Sequence, residues 1–180
     1  RVALSALLSM EGGSTLVVNL PTGSGKSLLF QAPIMMDKDC GLVLVVVPTT
    51  ALALDQERRI FDLGIPEISN SQPIAFHSGL SEDERQLVKD KIKNGTQKIL
   101  FASPQAVMGS LLPSLYKAGR SGLFSYLFID EAHVFSGWGE TFRPDYQALP
   151  GFRRGINELG SINKLKTVLL SATFTKTDLD

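Results

Sequence analysis

The sequence predicts an α/β fold in which a parallel β-sheet is flanked by helices on both faces. Short apolar runs of strand length alternate along the chain with longer segments whose apolar residues recur at helical spacing. Two of these runs, residues 42–47 and 123–129, are almost entirely aliphatic or aromatic. Such runs are typical of strands that are buried on both faces of a parallel sheet. The alternation continues through residues 1–180 and therefore predicts a single domain.

Composition limits the classes of protein to which the chain can belong. Of its 180 residues, 43% are hydrophobic and 20% are charged, which favours a globular domain over a disordered chain. Lys plus Arg and Asp plus Glu both number 18, so the net charge is zero and any contact with nucleic acid must come from local loops. The single cysteine, Cys40, excludes an intrachain disulfide and a zinc site of several thiolates. We expect it to be a small buried residue.

Neither a membrane span nor a secretory leader is predicted for these residues. No apolar run reaches the roughly 18 residues that a span needs, and no basic and then apolar segment opens the chain. We therefore expect a cytoplasmic enzyme domain with no membrane partner. Because the chain starts at Arg1 without a methionine and stops at Asp180 in a predicted helix, we expect it to be a fragment of a longer protein.

A glycine-rich turn, Pro21-Thr22-Gly23-Ser24-Gly25-Lys26-Ser27, lies between a predicted strand at residues 15–20 and a predicted helix at residues 28–36. This is the context that a phosphate-binding loop requires. Its glycines allow a tight turn whose N–H groups, with the helix N-terminus, point at phosphate oxygens. Lys26 then reaches the β- and γ-phosphates, and the Ser27 hydroxyl is placed for magnesium.

Two carboxylates, Asp130 and Glu131, follow the apolar run at residues 123–129, at the edge where open α/β sheets bind ligands. Adjacent side chains on an extended backbone point apart, so we expect the two to have different tasks. One can hold magnesium while the other faces the γ-phosphate and orients or deprotonates a water molecule. The alternative is an acidic strand end that leads into a turn, and the phosphate loop on the same chain favours the first interpretation.

The strand at residues 42–47 is followed by Pro48-Thr49-Thr50 and by an amphipathic helix at residues 51–63. Hydroxyls and backbone amides at such a strand-to-helix junction suit contacts with the phosphates of a nucleic-acid strand. An ordinary turn and helix cap is the alternative.

Further elements complete the alternation. Residues 64–71 predict a loop, and Ser81 with Glu84 predicts a capping box at the start of a helix. We expect His77 to be a hydrogen-bonded loop residue, since no second histidine or cysteine lies near it. Ser103-Pro104-Gln105 predicts the start of one helix, and Pro150-Gly151 predicts a break or kink in another. The remaining predicted strands are residues 73–76, 98–102 and 166–170.

The whole set of motifs, in this order, resembles the first RecA-like P-loop domain of a superfamily 2 helicase. Leu20 stands where the general phosphate loop has a glycine, which is similar to the helicase version of that loop. The matching segments are residues 22–27 (motif I), 47–56 (motif Ia in its RecQ form), 103–105 (motif Ib), 130–133 (a DEAH-type motif II) and 171–173 (motif III).

A second stretch resembles one family within that superfamily. Trp138-Gly139 followed by Phe142-Arg143-Pro144-Asp145-Tyr146 is similar to the aromatic-rich loop of RecQ DNA helicases. Val134-Phe135 and Gly137 depart from the family pattern, in which a cysteine-isoleucine pair and a glutamine are usual. The alternative for this loop is a cluster of aromatic residues packed against the core.

The resemblance implies roles for individual residues. Residues 22–27, including Thr22, Gly23, Ser24 and Gly25, would bind ATP, with Lys26 on its phosphates. Ser27 and Asp130 would hold Mg²⁺, and Glu131 would be the general base. The residues that would couple nucleotide state to nucleic acid, or contact single-stranded DNA, are His133, Ser171, Thr173, Thr49, Gln56, Trp138, Phe142 and Arg143. Aromatic faces stack on any base and an arginine pairs with a phosphate.

The function implied is that of an ATP-dependent DNA helicase or translocase. Its partners would be single-stranded or partly duplex DNA and a second RecA-like domain of the same chain, without which we expect residues 1–180 not to unwind DNA. The protein would then act at the nucleoid of a bacterium or in the nucleus of a eukaryote. Alternatives are an RNA or duplex-DNA translocase and a nucleotide-dependent switch or scaffold without catalysis. A small-molecule kinase is disfavoured by Leu20 and by the Ser171-Ala172-Thr173 strand end.

Overall fold

Six strands of a computed structural model form one parallel sheet in the order β1-β6-β5-β2-β4-β3. The structure describes residues 1–21, 23–69, 71–132, 144–159 and 164–172. The strands in these ranges are β1 Thr15–Asn19, β2 Leu42–Val46, β3 Ala75–Phe76, β4 Ile99–Ala102, β5 Phe124–Ile129 and β6 Lys166–Ser171.

Eight helical segments connect these strands in the described ranges. They are α1 Val2–Ser9, α2 Lys26–Met36, α3 Thr50–Asp62, α4 Pro66–Ser69, α5 Glu82–Asn94, α6 Pro104–Met108, α7 Leu112–Arg120 and α8 Pro144–Leu159. None of them is both long enough and apolar enough to cross a membrane.

The helices lie on both faces of the sheet, as predicted. Every residue of β2 is buried, and its alternate side chains enter two separate hydrophobic clusters. Leu44 packs with Val88 of α5 and Leu115 of α7, whereas Val45 packs in the cluster of α1, α2 and α3. The predicted α/β fold with helices on both faces of a parallel sheet is therefore confirmed.

Several local predictions are confirmed by particular contacts. Ser81 and Glu84 form the capping box of α5, since Glu84 N–H donates to the Ser81 hydroxyl and Ser81 N–H donates to the Glu84 carboxylate. Cys40 is buried, and this burial, with the nearby Asp37 charge, raises the pKa of its thiol to about 11. His77 is a hydrogen-bonded loop residue, whose Nδ1 accepts the Gly79 N–H at 3.1 Å.

Three predictions of local structure are wrong. The predicted loop at residues 64–71 contains the short helix α4. The single helix expected after Ser103 is two helices, because α6 ends at Met108 and α7 begins at Leu112. Pro113 lies in the first turn of α7, the place where a helix tolerates proline. The predicted break at Pro150-Gly151 is the third, because α8 continues across these residues, while the predicted alternative of a kink stays a prediction. A stripe of buried residues holds α8 against the core, namely Tyr146, Leu149, Phe152 and Ile156.

Candidate functional site

The carboxyl ends of β1, β6 and β5 lie side by side and bring three predicted motifs together. The register pairs Asn19 with Ser171 and Ile129 with Leu169. The turn after β1 is joined to β6 by a hydrogen bond from Leu20 N–H to the Ser171 carbonyl at 3.0 Å. The glycine-rich turn, the two carboxylates and Ser171 therefore occupy one edge of the sheet, as expected for a ligand site in an α/β protein.

The glycine-rich turn has the backbone that its sequence predicts. Gly23 and Gly25 have φ of +79° and +84°, in the left-handed region that side chains disfavour. A Cβ atom at either position would meet nothing within 4 Å, so glycine is required there by backbone conformation and not by space. Gly25 is the N-cap of α2, and no side chain caps this helix. The Leu28 N–H donates to the Gly25 carbonyl at 3.0 Å, while the N–H groups of Lys26 and Ser27 lie at the helix N-terminus, which suits phosphate oxygens. The Ser24 hydroxyl donates to the Pro21 carbonyl within the turn.

α2 holds the turn against the core. Phe30, in the second turn of this helix, packs edge-to-face on Phe101 of β4 and Phe128 of β5, with ring centroids 5.4 and 6.0 Å apart. Leu29 and Ile34 are also buried. Lys26 and Ser27, which begin α2, are thus fixed relative to the strand that carries the carboxylates.

Lys26 and Glu131 face each other across the site. The Lys26 ammonium lies 4.0 Å from Glu131 Oε1, and the two side chains are 14% and 29% exposed. Glu131 has a φ of +53°, the one positive φ of a non-glycine residue in the described part of the chain. Asp130 Oδ1 accepts the Glu131 N–H at 3.0 Å. Glu131 is not extended, so the extended-backbone argument does not apply to this pair. Asp130 and Glu131 line the same cavity, and their different tasks stay a prediction.

This cavity, which we call the phosphate pocket, has a volume of ≈ 300 Å³. It is lined by Gly23, Gly25, Lys26, Ser27, Phe30, Gln56, Arg59, Asp130, Glu131 and Leu170. Gln56 and Arg59 come from α3, and the Ser27 hydroxyl donates to Gln56 Oε1 at 3.4 Å. Gln56, which is predicted to contact nucleic acid or to couple it to the nucleotide, lines the phosphate pocket. Arg59, which pairs with Asp55 at 2.9 Å, was not predicted at any site.

The oxygen donors of the phosphate pocket fit a magnesium ion. Mg²⁺ is usually held by one or two protein oxygens together with substrate phosphates. The Ser27 hydroxyl and the Asp130 carboxylate are such a pair beside a helix N-terminus that suits phosphate. No group of three or more His, Cys, Asp or Glu side chains that could hold a metal ion occurs in the described ranges.

A second cavity lies at the same sheet edge, beyond β2, and has a volume of ≈ 410 Å³. We call it the β4-side pocket. It is lined by Thr50, Phe76, His77, Ser78, Glu82, Arg85, Lys89, Ser103, Gln105, Ala106 and Ser110. Arg85 pairs with Glu82 at 3.1 Å, while its Nε is buried without a hydrogen-bond partner. Thr50 lines this pocket, whereas the Thr49 hydroxyl accepts the Leu52 N–H and caps α3.

A model of the DEAD/DEAH box helicases matches residues 1–180. The chain belongs to the DEAD/DEAH box helicase family.

Curated relatives of this helicase-family domain are RecQ-like, which confirms the predicted resemblance. It is 36% identical over 156 residues to ATP-dependent DNA helicase Q5 of Rattus norvegicus, covering 83% of the chain and 15% of that protein. It is 35% identical over 172 residues to the probable ATP-dependent DNA helicase RecS of Bacillus subtilis, covering 95% of the chain and 31% of that protein. It is 35% identical over 140 residues to ATP-dependent DNA helicase RecQ of Synechocystis, covering 78% of the chain and 27% of that protein. The helicase-family domain therefore spans less than a third of the length of each of these relatives.

Solved structures of similar fold are helicases too. The helicase MrfA bound to DNA and AMPPNP superposes with a TM-score of 0.69 at 22% identity, covering 97% of the chain and 24% of that protein. Mss116 bound to single-stranded RNA and UDP-BeF has a TM-score of 0.71 at 23% identity, covering 98% and 35%. These likenesses confirm the predicted RecA-like fold.

Six predicted site residues of this helicase-family domain lie outside the described residues. They are Thr22, His133, Trp138, Phe142, Arg143 and Thr173. Ser171 is within them and is fully buried between β1 and β5. Its predicted coupling role, like the roles of the six, stays a prediction.

Proposed function

We propose that the chain is the ATP-binding motor domain of a RecQ-like DNA helicase or translocase, which hydrolyses ATP with Mg²⁺ and couples hydrolysis to single-stranded DNA. One observation carries this proposal: Lys26 and Glu131 face each other at 4.0 Å in a cavity that Ser27 and Asp130 also line. One pocket therefore contains a cation that can bind phosphates, two oxygen donors that can hold a metal ion and a carboxylate that can accept a proton from water.

The chemistry follows from the positions of these groups. The first-turn N–H groups of α2 and the Lys26 ammonium bind phosphate oxygens, and the incoming phosphates separate Lys26 from Glu131. Ser27 and Asp130 would hold Mg²⁺, which neutralises negative charge on the β- and γ-phosphates. Glu131 accepts a proton from the attacking water, whose oxygen bonds to the γ-phosphorus as the bond to the β-phosphate oxygen breaks. The products are ADP and inorganic phosphate.

The β4-side pocket supports a nucleic-acid track beside the nucleotide. Its lining includes the hydroxyls of Thr50 and Ser103 and the cations of Arg85 and Lys89. Hydroxyls and basic side chains are the usual partners of backbone phosphates. We assign the track to DNA because the curated relatives are named DNA helicases. We assign it to a single strand because Trp138-Gly139 and Phe142-Arg143-Pro144 resemble the aromatic-rich loop of RecQ DNA helicases. An RNA track or a duplex-DNA track in the same pocket is the alternative.

The proposal extends to the rest of the motor. Trp138, Phe142 and Arg143 would contact the DNA strand, and His133, Ser171 and Thr173 would relay nucleotide state to it. A second RecA-like domain of the same chain would close on the nucleotide. The protein would act in the cytoplasm at the nucleoid of a bacterium, or in the nucleus of a eukaryote.

ATP hydrolysis tests this function. The protein extended through its second motor domain is assayed without nucleic acid and with single-stranded DNA, RNA or duplex DNA, and Glu131→Gln is the control. We expect strong stimulation by single-stranded DNA that is lost in Glu131→Gln. Stimulation by RNA or duplex DNA in its place would reject the assigned track, and nucleotide binding without hydrolysis would favour a switch or scaffold.

A further inference from the structure

We propose that Gln56 is a positioning residue for the magnesium-binding hydroxyl of Ser27. Its side-chain oxygen accepts the hydroxyl proton, so that the lone pairs of Ser27 Oγ are directed at the metal ion of the bound nucleotide. This inference rests on the proposed function, because it assumes that the phosphate pocket takes a nucleotide with Mg²⁺.

The geometry places the two side chains together across a long sequence distance. Ser27 Oγ donates to Gln56 Oε1 at 3.4 Å, and 29 residues separate them along the chain. Both side chains are half-buried and both line the phosphate pocket. Gln56 is therefore an integral part of the wall that faces the glycine-rich turn.

The chemistry of a hydroxyl ligand makes such an acceptor useful. A serine hydroxyl has one proton and two lone pairs, and it can coordinate a cation only through a lone pair. The proton must then point away from the cation, toward an acceptor. Partners of this kind, which touch the ligand and not the metal ion, fix its orientation, and their loss usually weakens metal binding by about 10–100-fold.

α3 holds Gln56 in place through its neighbours. Glu57 accepts the N–H groups of Ile74 and Ala75 at 2.9 and 3.1 Å, which fastens the helix to the edge strand β3. Ala53 and Ile60 of the same helix are buried. The acceptor is thus carried by a rigid element, as precise ligand geometry requires.

The neutral amide of Gln56 suits its surroundings. Asp130 and Glu131 already place two carboxylates in the phosphate pocket. A third one would add negative charge where phosphates must bind, whereas an amide oxygen accepts the proton without a net charge.

Nucleotide binding as a function of Mg²⁺ concentration tests the inference. The affinity of a fluorescent, non-hydrolysable ATP analogue is measured by anisotropy over a Mg²⁺ series and in EDTA. Gln56→Met removes the acceptor at nearly constant volume, and Arg58→Met is the matched control because Arg58 is exposed and lines neither pocket. The side chain in Gln56→Glu can only accept hydrogen bonds. This variant therefore keeps the Mg²⁺ requirement of wild type only if Ser27 is the donor.

We expect Gln56→Met to require about tenfold more Mg²⁺ for half-maximal binding, while its affinity in EDTA stays at the wild-type value. Gln56→Glu should keep a Mg²⁺ requirement within a few fold of wild type, although its added negative charge lowers the affinity in EDTA. Arg58→Met should match wild type in both measurements. A denaturant midpoint for each variant checks that it is folded.

Two results would overturn the inference while the proposed function stands: an unchanged Mg²⁺ requirement in Gln56→Met, or a Mg²⁺ requirement in Gln56→Glu as high as in Gln56→Met. If the wild-type chain binds the analogue with no dependence on Mg²⁺, or does not bind it, the proposed function itself fails and this inference with it.

Discussion

Glu131 combines a proposed chemical role with an unfavourable backbone conformation. Its φ of +53° lies in the left-handed region, where a residue with a Cβ atom is disfavoured by roughly 1–2 kcal/mol. The same conformation turns its carboxylate into the pocket with Lys26. Strain of this kind is common at functional sites, where geometry matters more than local stability.

Two substitutions at Glu131 separate the backbone from the carboxylate. Both Glu131→Gly and Glu131→Ala remove the carboxylate, but only glycine relieves the left-handed strain. Glycine also has more conformational entropy in the unfolded chain, which offsets part of the relieved strain. We expect the net result to make the Gly variant more stable than the Ala variant by roughly 0.5–1 kcal/mol. Denaturant unfolding measures the difference, and an Ala variant of equal or greater stability would contradict this account of the backbone.

At the scale of single residues, the sequence predicted the site residues whose positions depend on local backbone geometry. Gly23, Gly25 and Lys26 lie within one turn, and their spacing specifies that turn. The contact between Ser27 and Gln56 could not be predicted in this way, because it depends on the rotation and tilt of α3 relative to α2. No periodicity in the sequence encodes that relation.

At the scale of elements, the N-terminus of α5 makes stability depend on pH. The pKa of Glu84 is lowered mainly by the hydrogen bond from the Ser81 backbone N–H and next by the Ser81 hydroxyl. A carboxylate whose pKa is lower in the folded state stabilises the fold above its unfolded pKa, and this contribution is lost as the pH falls through the folded pKa.

We therefore expect Glu84→Gln to be less stable than wild type near pH 7, and the difference to shrink in acid. Unfolding free energies from denaturant titrations at several pH values measure it. Asp83→Asn, which removes the same charge from the same helical turn, is the matched control and should change the pH dependence less. Equal behaviour of the two variants would attribute the effect to the helix dipole and not to the capping box.

Two glycines test how closely neighbouring elements pack. A Cβ atom at Gly41, just before β2, would overlap the backbone carbonyl of Leu123, whereas one at Gly151 in α8 would meet nothing within 4 Å. We expect Gly41→Ala to lower the free energy of unfolding by about 1–3 kcal/mol, and Gly151→Ala to raise it by up to about 1 kcal/mol because alanine favours a helix. Thermal and denaturant unfolding measure both, and a neutral Gly41→Ala would contradict the close approach.

The elements themselves were predicted where one signal dominated. The strand at β2 and the capping box of α5 follow from an apolar run and from two residues at fixed spacing. The break between α6 and α7 was missed although Pro113 marks it. Pro150 was taken as a similar signal in α8, where the burial of one helical face outweighs the missing hydrogen bond.

On the scale of the whole molecule, two pockets at one sheet edge account for the proposed coupling of nucleotide and nucleic acid. The fold class was predictable because alternating strands and helices leave few topologies for a parallel sheet. The aromatic-rich loop after Ala132 is part of the same proposal. Residues 133–143 lie outside the described residues, whereas Pro144, Asp145 and Tyr146 begin α8, in which Tyr146 is buried.

Arg85 tests the β4-side pocket, because its buried Nε has no hydrogen-bond partner there. If the pocket holds a phosphate of single-stranded DNA, Arg85→Gln should weaken DNA binding several-fold. The slope of log K against the logarithm of salt concentration should also become shallower by about 0.7. Lys93→Gln on the same helix is the control, since Lys93 pairs with Asp90 and does not line the pocket. Equal DNA affinities and salt slopes in the two variants would remove Arg85 from the track.

The most direct test of the central claim is the binding of ATP with Mg²⁺ to residues 1–180, measured by titration calorimetry for the wild type and for Lys26→Met. The phosphate pocket predicts that wild type binds and that Lys26→Met, while still folded, loses at least about tenfold in affinity, since a charge-assisted hydrogen bond contributes about 1.5–3 kcal/mol. Equal affinities, or no binding by the wild-type chain, would contradict the assignment of this pocket to a nucleotide.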